Sequence, residues 1–479
     1  MRLFFIEWSG KEFGLTDVVR ELKKQSHDVV YWSGYNLNAN VDKTEFPDTI
    51  FHDYNDARAG ITSPQVNDSS FEPPEEVLIK KLYETESVLL IMMNKRFEWM
   101  SENQKKHLYY RYIQYWDGVI KKYKPEAIIY PSAPHTIYDF VIYGLAKLYG
   151  IKNIIFELTA VYDRSIVMSD YVIGCEALKR QLENDKDINF SVSDFEPDIG
   201  RYYNNQMNSN KLSTPNVIKV LGSIYSPKNI FKAKITAVFR SVRDHVLIER
   251  IGKRLLRCGR GDLKKEYENL QTKPDFSKKY IYLTLHYQPE CSTSPLGSVF
   301  VDQLLAVETL SYCLPKDWFI YVKENPFQWK PRGAIYFSYR YEGYYEAMSR
   351  LKNVRLVPVD TDTYTLIENA KAVASVAGTA PWEGLFRGKP GIIFGYPWYR
   401  NCHGIFKVNN VASCLEALNK IKDGFKVDHQ KLINYLGSFQ KVVLNAFRDS
   451  LQKRHSYVTV EQNVINHVNL ISKELSSQK

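Results

Sequence analysis

Three features of the sequence predict an α/β protein with two domains. The chain has 479 residues, 44% of them hydrophobic, and single hydrophobic cores stop growing well below that length. In both halves, short and almost continuous apolar runs alternate with longer segments of helical character, which is typical of parallel strands covered by helices on both faces. A polar and basic region at 204–277 lacks this alternation. We therefore predict two Rossmann-like domains that face each other across a cleft.

The apolar runs are predicted to form strands because they are short and rich in β-branched and aromatic residues. In the first half they are RLFFIE, DVVYWS, EAIIYPS and NIIFEL, with a helix predicted over 102–123. In the second half they are YIYLTLH, WFIYVKE, VRLVPV, AVASVAG and GIIFGYP. The predicted division is a first domain at 1–203, a basic helical linker at 204–277, a second domain at 278–426, and C-terminal helices at 427–479 that pack back across both.

The cysteines and the N-terminus bear on the cellular compartment. The cysteines include no CxxC pair and no Cys/His group at zinc-ligand spacing, so we expect free thiols at Cys175, Cys258, Cys291, Cys313, Cys402 and Cys414. The apolar run Leu3–Ile6 is too short for the core of a signal peptide, and no window approaches about 18 uninterrupted apolar residues. These features predict a cytoplasmic protein.

The formal net charge of +10 is concentrated in the segment 219–260. This segment has eleven Lys and Arg residues, against only Asp244 and Glu249. Apolar residues recur in it at helical spacing, which predicts a basic amphipathic helix with a stripe of Phe231, Ile235, Val238, Val242 and Val246. Such a helix could present a solvated charged face, or could meet anionic lipid or an anionic polymer. No RNA- or DNA-binding motif accompanies it, so nucleic acid is not an expected partner.

The stretch SVAGTAPWEGLFRGKP predicts a nucleotide site. Gly378, Thr379 and Ala380 form a small-residue turn after a strand, and Pro381 suits the first turn of a helix because its missing N–H would have no partner there. A helix N-terminus beyond the carboxyl end of a parallel strand can bind a phosphate. Glu383 is then placed to accept hydrogen bonds from a ribose diol. Thr379 and Glu383 would also suit a simple helix cap.

Polar residues follow two other strands of the second half. His286 and Gln288 follow YIYLTLH, and Lys323 and Asn325 stand at the end of WFIYVKE. An imidazole, amides and a positive charge at strand ends suit a phosphate or a base, although each is also common as a structural or surface feature. We predict that these four residues contribute to the nucleotide site.

Residues from about Tyr280 to Val408 resemble the C-terminal half of the bacterial capsule polysaccharide biosynthesis family. The resemblance is carried by YLTLHYQPECSTSPLG, YVKENPFQW and SVAGTAPWEGLFRGKPGIIFG, in that order and spacing. In the first half, PSAPHTIYDFVIYGLAKLYGIKNIIFELTAVYDR is similar to a family pattern of Pro-His, a helix, Gly-Ile and a strand ending in Glu with a following Arg. The family includes glycosyltransferases of the GT-B fold that transfer Kdo, so the resemblance implies that fold and a nucleotide-sugar donor.

The chain departs from the family pattern at Asn325. Family members commonly have Lys-Glu-His-Pro where this chain has Lys-Glu-Asn-Pro at 323–326. In related CMP-sugar transferases the His-Pro pair contacts the donor phosphate. Asn325 can donate a hydrogen bond but cannot carry charge, so the departure bears on the identity of the donor.

Transfer from a nucleotide sugar requires a stabilised leaving phosphate and a carboxylate or base at the acceptor hydroxyl or the sugar carbon. Glu157 closes the strand NIIFEL and is the predicted catalytic carboxylate, flanked by His135 and Arg164. Glu157 could otherwise be a loop carboxylate paired with Arg164. Asp163 and Asp139 are the substitutes for its role.

Helix termini and basic side chains can neutralise a phosphate, so we expect chemistry without a metal or other cofactor. The predicted function is transfer of a sugar, with Kdo from CMP-Kdo as a candidate, to a surface polysaccharide or lipid-linked glycan. Such acceptors are usually built at the inner face of the membrane, where the segment 219–260 would hold the protein against anionic lipid. A sugar-nucleotide epimerase of GT-B shape and a non-catalytic component of polysaccharide assembly or export are the alternatives.

Overall fold

The computed structural model describes residues 1–161, 164–208, 262–329, 338–453 and 456–477. The predicted basic helix at 219–260 lies outside these described residues. Strands are numbered along the chain: β1 (Arg2–Phe5), β2 (Asp28–Gly34), β3 (Ile50–Asp53), β4 (Ala127–Tyr130), β5 (Lys152–Leu158), β6 (Arg164–Met168), β7 (Lys279–Thr284), β8 (Trp318–Lys323), β9 (Val354–Leu356), β10 (Ala372–Ser375), β11 (Gly391–Ile393), β12 (Ile405–Lys407) and β13 (Leu444–Asn445).

The helices are numbered in the same way. Before the gap at 209–261 they are α1 (Leu15–Lys24), α2 (Leu37–Asn40), α3 (Tyr54–Ala59), α4 (Glu76–Lys81), α5 (Tyr83–Met92), α6 (Asn94–Phe97), α7 (Glu102–Tyr123), α8 (Tyr138–Leu148), α9 (Glu176–Asn184) and α10 (Pro197–Met207). After it they are α11 (Leu263–Leu270), α12 (Gln303–Cys313), α13 (Tyr344–Ser349), α14 (Thr363–Asn369), α15 (Ala380–Leu385), α16 (Val411–Lys422), α17 (His429–Gln440), α18 (Ser450–Lys453) and α19 (Val460–Ser476).

The first sheet has the strand order β3-β2-β1-β4-β5-β6-β13. Strands β1 to β5 pair in parallel, as the sequence predicts, whereas β6 is antiparallel to β5 and β13 is antiparallel to β6. The connection between β5 and β6 spans only 159–163, and parallel neighbours need a crossover of a dozen or more residues. The short turn therefore makes this edge of the sheet antiparallel, which differs from the parallel arrangement predicted.

The second sheet is parallel throughout, with the order β9-β8-β7-β10-β11-β12. This is the doubly wound order, in which the chain reverses its direction of travel between β7 and β10. The first sheet makes the same reversal between β1 and β4, and these two positions are the switch points of the sheets. Each sheet thus has a crevice at the carboxyl ends of its two central strands, where ligands of open α/β sheets bind.

Two apolar layers cover the faces of each sheet. The long helix α7 belongs to one of them and begins with a capping box, in which Ser101 and Gln104 bond each other's backbone N–H groups. Helix α11 contributes Tyr267 to the core of the second sheet, where the side chain is fully buried. The core of the second domain therefore begins within 204–277, the region predicted to be a linker.

The C-terminal segment returns to the first domain. It adds β13 to the first sheet, and α19 packs on α1. Gly14, which precedes α1 at φ 76°, allows this contact because a Cβ there would lie 2.5 Å from Cγ2 of Val464. The buried Asn463 side chain donates to the carbonyl oxygens of Phe13 (2.8 Å) and Phe447 (2.9 Å), which joins the tail to the N-terminal loop.

A further apolar cluster joins both domains and the tail. It contains Tyr202 of the first domain, Trp382 of the second and Phe439 of the tail. The indole Nε1 of Trp382 donates to the hydroxyl of Tyr202 at 2.8 Å, so the buried polar atom is satisfied across the boundary. Two Rossmann-like domains with a C-terminal helix that returns to the first domain form the GT-B architecture, and the predicted fold class is confirmed.

Candidate functional site

The carboxyl edges of the two sheets meet at a cleft. The loop after β4 contacts the loop after β7, where Sγ of Cys291 lies 3.8 Å from the carbonyl oxygen of Ala133. Arg400, in the loop after β11, donates to the carbonyl oxygens of Tyr171 (2.9 Å) and Val172 (3.0 Å) in the first domain. The two crevices at the switch points therefore face each other, and this cleft is the candidate site.

His286 lies two residues beyond β7 and joins the two loops of the second switch point. Its Nε2 accepts a hydrogen bond from the N–H of Ala377 (3.1 Å) and lies 2.9 Å from Oγ of Ser375. Burial and the nearby charge of Arg340 lower the pKa of His286 to about 4, so the imidazole is neutral at pH 7. A Cβ at Gly378 would lie 2.7 Å from Cε1 of the ring, so this position requires glycine. His286 shapes the crevice without offering a charge to a ligand.

Thr379 and Glu383 are brought together at the start of α15. The hydroxyl of Thr379 donates to Oε1 of Glu383 (2.9 Å), and the hydroxyl of Tyr364 donates to Oε2 (3.4 Å). Thr379 binds the carboxylate and makes no side-chain cap to the helix backbone, which sets aside the interpretation of a simple cap. Burial raises the pKa of Glu383, whereas the Thr379 hydrogen bond and the charge of Arg387 lower it. The result is a buried carboxyl group whose two oxygens are both held in place.

The other residues of this turn have structural positions. The carbonyl oxygen of Gly378 accepts a hydrogen bond from the hydroxyl of Tyr399. Ala380 packs in the apolar layer that contains Tyr280. Thr379 is therefore the member of the predicted turn whose side chain presents a polar group to the crevice.

Lys323 closes β8 and is buried beside the loop that follows β9. Its Nζ donates to the carbonyl oxygen of Thr361 (2.6 Å) and to Oγ1 of Thr363 (2.8 Å). Burial lowers its pKa to about 8, against the opposing charges of Asp362 and Asp360. Asp360-Thr361-Asp362 is a DxD triplet that the expectation of metal independence did not take into account. Both of its carboxylates are exposed.

Asn325 is partly buried and turns the chain after β8. Its Oδ1 accepts a hydrogen bond from the N–H of Phe327 (3.0 Å), and its own N–H donates to Oε1 of Glu324 (2.7 Å). Nδ2 of Asn325 has no hydrogen-bond partner within the described residues. The side chain is therefore suited to donate a hydrogen bond to a ligand, as the sequence predicts for an uncharged residue at this position.

Gln288, a predicted ligand contact, is instead part of a buried polar network. Its side chain is 1% exposed, its Oε1 accepts from Gln303 (2.9 Å) and from Nη1 of Arg340, and its Nε2 donates to the carbonyl oxygen of Val301 (2.9 Å). Arg340 also forms an ion pair with Glu324 at 2.7 Å, with both side chains almost fully buried. Because both polar atoms of Gln288 are engaged, it supports the loop after β7 and does not face a ligand.

Glu157 is half-buried at the end of β5, on the first-domain side of the cleft. Its Oε2 accepts a hydrogen bond from the N–H of Ala133 at 3.4 Å. Burial raises its pKa to about 7, against the opposing charges of Arg448 and Arg400. A carboxyl group with this pKa can exchange a proton near neutral pH, as a general base must.

His135 binds the carbonyl group of the same residue, Ala133. Its Nδ1 lies 2.8 Å from the carbonyl oxygen of Ala133, which is an acceptor, so Nδ1 carries a proton. Asp139 accepts from the N–H groups of His135 (2.8 Å) and Thr136 (2.7 Å) at the start of α8. Glu157 and His135 thus meet around Ala133 as predicted, and Asp139 supports their loop.

Arg164 has other partners than those predicted. Its Nε and Nη2 bind the carboxylate of Asp198 (2.9 and 3.0 Å), and Nη2 also binds Glu196. The side chain is almost fully buried, and this two-point pairing holds it on α10. Arg164 is therefore held by a structural ion pair in place of the predicted position beside Glu157, and the alternative in which Glu157 pairs with Arg164 is not observed. Asp163 lies outside the described residues.

Three charged residues at the cleft were not singled out from the sequence. Glu7 follows β1 at the first switch point, and Arg400 and Arg448 lie near Glu157. Glu7 could have been found, because it closes the apolar run RLFFIE as Glu157 closes NIIFEL. The two arginines lie far along the chain from Glu157, and no local pattern connects them with it.

Within the described ranges, no three His, Cys, Asp or Glu side chains are grouped so that they could hold a metal ion. No helix in the same ranges combines the length and apolar character needed to cross a membrane.

The chain matches no family model and no curated protein. Solved structures similar to it include the KpsC beta Kdo 2,7 transferase of Thermosulfurimonas dismutans (12% identity, TM-score 0.33, covering 79% of this chain and 95% of that one). They also include a glycosyltransferase from Rickettsia africae (11%, TM-score 0.28, 100% and 99%) and a UDP-GlcNAc 2-epimerase from Neisseria meningitidis bound to UDP-GlcNAc (10%, TM-score 0.21, 99% and 99%).

Proposed function

We propose that the protein is a glycosyltransferase that moves a sugar from a nucleotide-sugar donor on the second domain to an acceptor hydroxyl on the first. The observation that carries the proposal is the pair of facing crevices. One presents the carboxyl group of Glu383, oriented by Thr379 and Tyr364, and the other presents Glu157 with a pKa near neutrality. The first carboxyl group suits the ribose of a nucleotide donor, and the second can act as the base that transfer requires.

In the proposed reaction, Glu157 acts as the general base. Its carboxylate accepts the proton of the acceptor hydroxyl while the hydroxyl oxygen bonds to the anomeric carbon of the sugar. The bond between that carbon and the phosphate oxygen breaks, and the nucleotide leaves with both bonding electrons on its phosphate. Lys323 and Nδ2 of Asn325 lie at the carboxyl end of β8, beside β7, where they can stabilise the negative charge of the leaving phosphate.

The donor and the acceptor are proposed from the resemblance to capsule polysaccharide proteins. Kdo from CMP-Kdo is the first candidate donor, and a surface polysaccharide or lipid-linked glycan is the candidate acceptor. Because Asn325 is uncharged, other nucleotide sugars are also candidate donors. We propose that the reaction needs no metal ion with any of these donors. If a nucleotide sugar were converted to its epimer in the absence of any acceptor, the protein would instead be an epimerase.

Nucleotide binding is expected to depend on Glu383. CMP-, UDP-, GDP- and dTDP-sugars are screened by thermal shift, because a ligand of the folded state raises Tm by mass action. For the nucleotide sugar that raises Tm, Glu383→Gln should weaken binding by about 10- to 100-fold, which is the effect of losing a hydrogen bond to a charged group. Its own Tm should stay close to that of the wild type.

The control for this variant is Glu368→Gln, an exposed glutamate at the end of α14, which should bind as the wild type does. EDTA should leave nucleotide binding unchanged. A strong effect of EDTA would assign a metal to the exposed DxD triplet at 360–362. If no nucleotide sugar shifts Tm at millimolar concentration, the transferase is excluded and a non-catalytic role in polysaccharide assembly is favoured.

Membrane association is proposed for the segment 219–260, which lies outside the described residues. Each Lys or Arg close to an anionic surface contributes about 1 kcal/mol, so a weak and salt-sensitive association is expected. In a flotation assay, the protein should rise with vesicles that contain phosphatidylserine and stay behind with neutral vesicles or at high salt. Neutralisation of Arg250, Lys253, Arg254 and Arg257 should abolish flotation. Binding that ignores lipid charge would instead assign localisation to a protein partner.

A further inference from the structure

Glu7 lies at the switch point of the first sheet, in the loop between β1 and α1. Its φ of 58° is in the left-handed region, which non-glycine residues seldom adopt. The backbone is held there in part by a hydrogen bond from the N–H of Glu7 to Oγ of Ser33 (3.0 Å). Strained residues of this kind persist where the surroundings hold a side chain in a required place.

Thr136 links the carboxyl group of Glu7 to that of Asp139. The Thr136 hydroxyl donates to Oε1 of Glu7, and the Thr136 N–H donates to Oδ1 of Asp139 at 2.7 Å. Oε2 of Glu7 has no hydrogen-bond partner in the part of the chain that the structure describes. Because Glu7 is only partly buried, this oxygen is available to a ligand in the crevice.

The buried surroundings of Glu7 favour its neutral form, although the hydrogen bond from Thr136 favours the ionised one. Burial is the main cause and the charge of Asp139 the second, and together they raise the pKa of Glu7 well above its usual value. Arg58 and Lys95 oppose this shift, and the hydroxyls of Tyr54 and Tyr138 also face the group. The ammonium of Lys95 donates to the carbonyl oxygen of His135 at 2.9 Å, so it is not directed solely at the carboxyl pair.

The position of Glu7 relative to Glu157 follows from the loop between them. Glu157 accepts from the N–H of Ala133, and Thr136, three residues later, donates to Glu7. The two carboxyl groups therefore hold opposite ends of one loop, which the second domain contacts through Cys291. Burial raises the pKa of both groups, but their neighbours differ: Asp139 raises the pKa of Glu7 further, whereas Arg448 and Arg400 lower that of Glu157. Paired carboxyl groups in different surroundings can divide the roles of acid and base.

We propose that Glu7 is an acceptor-binding residue that stays protonated and donates the hydrogen of its Oε2 to an oxygen of the acceptor sugar. No proton is transferred by Glu7 during the reaction, since Glu157 removes the proton of the attacking hydroxyl. The assignment rests on the proposed transferase function. It goes beyond that function by naming the group that positions the acceptor and the charge state in which it acts.

The protonation state is tested on the full chain without any substrate. The protein is labelled with ¹³C at the glutamate carboxyl carbons, and the signal that disappears in Glu7→Gln is followed from pH 4 to 9. We expect it to remain at the shift of a neutral carboxyl group at pH 7. A signal that has already moved to the carboxylate shift at pH 6 overturns the proposal, whatever the protein binds.

The acceptor role is tested by kinetics with CMP-Kdo or whichever nucleotide sugar the thermal-shift screen selects. Glu7→Ala should raise the KM of the acceptor by about ten-fold or more, the effect of a lost hydrogen bond in a buried site, and leave the KM of the donor unchanged. Glu7→Gln keeps an N–H donor, so it should restore part of the loss and remove the fall of activity at alkaline pH. Exposed Glu12→Gln serves as the unaffected control.

The outcomes separate the two proposals. If nucleotide sugars bind and are transferred but the acceptor KM of Glu7→Ala equals that of the wild type, Glu7 has no acceptor role. If Glu7→Gln is as inactive as Glu157→Gln, Glu7 acts as an ionised base and the assignment is reversed. If no nucleotide sugar binds, the transferase proposal fails, and the carboxyl signal still decides whether Glu7 is protonated.

Discussion

Glu157→Gln is expected to reduce the rate of sugar transfer by about 100- to 10,000-fold, the range that a positioned general base contributes. The amide keeps the shape of the side chain and can still accept the hydrogen bond from the N–H of Ala133, so the loop should stay in place. It cannot accept the proton of the acceptor hydroxyl. Single-turnover rates of the wild type and the variant, at saturating donor, measure the effect.

The pH profile of the wild type provides a second measure of the same group. The pKa of Glu157 is raised to about 7, so the base is lost as pH falls through 7. Activity should therefore drop about ten-fold for each pH unit below 7 and level off above it. Glu157→Gln should lose this dependence.

The controls for this prediction are nucleotide binding and a second glutamate. Glu157→Gln should bind the nucleotide sugar as the wild type does, and the exposed Glu12→Gln should transfer at the wild-type rate. Full activity of Glu157→Gln would move the role to Asp139 or Asp163. Of the two, Asp139 already binds the N–H groups of His135 and Thr136.

Arg340→Met is expected to lower the free energy of unfolding by about 3–5 kcal/mol, because it leaves the charge of Glu324 buried without its partner. Glu324 is 0% exposed, and its carboxylate accepts from Arg340 and, at 2.6 Å, from the hydroxyl of Tyr345. Arg340 also holds Gln288 and the carbonyl oxygen of His286 (3.0 Å). Its loss therefore also removes support from the loop after β7, at the candidate site.

Urea denaturation and thermal unfolding followed by circular dichroism measure this effect. The matched control is Arg350→Met, which breaks the exposed pair of Arg350 with Glu346 (2.8 Å) on the neighbouring helix α13. Exposed pairs of this kind are worth about 0.3–0.5 kcal/mol, so Tm should change little. Equal stability losses in the two variants would contradict the importance assigned to burial.

Much of the fold could be predicted from local patterns. Nine of the strands coincide with apolar runs singled out from the sequence, and α7 spans the predicted 102–123. Strands β3, β6, β12 and β13 were missed: β12 and β13 have only three and two residues, and β3 (IFHD) and β6 (RSIVM) mix apolar with polar residues. Strand β13 pairs with β6, which lies almost 280 residues earlier in the chain, so no local sequence pattern indicates this pairing.

The second-domain side of the candidate site was more accessible to prediction than the first-domain side. Thr379 and Glu383 are four residues apart, so one turn of α15 suffices to bring the hydroxyl to the carboxylate. Gln288 was assigned to the ligand because the sequence does not show Arg340, 52 residues later, which engages its oxygen. A polar residue at a strand end can bind a ligand or a buried protein group, and only the identity of its partner in the folded structure shows which role it has.

The sequence by itself determined the fold class: the alternation of apolar strands and helices indicates two largely parallel sheets, and the small-residue turn at 378–380 marks the end of a strand. The tertiary structure decided which charges meet. Arg164 lies seven residues from Glu157 but binds Asp198 on α10, whereas Arg448 of the tail influences Glu157 from the far end of the chain. Electrostatic interaction depends on distance and burial in space, and neither is encoded in local periodicity.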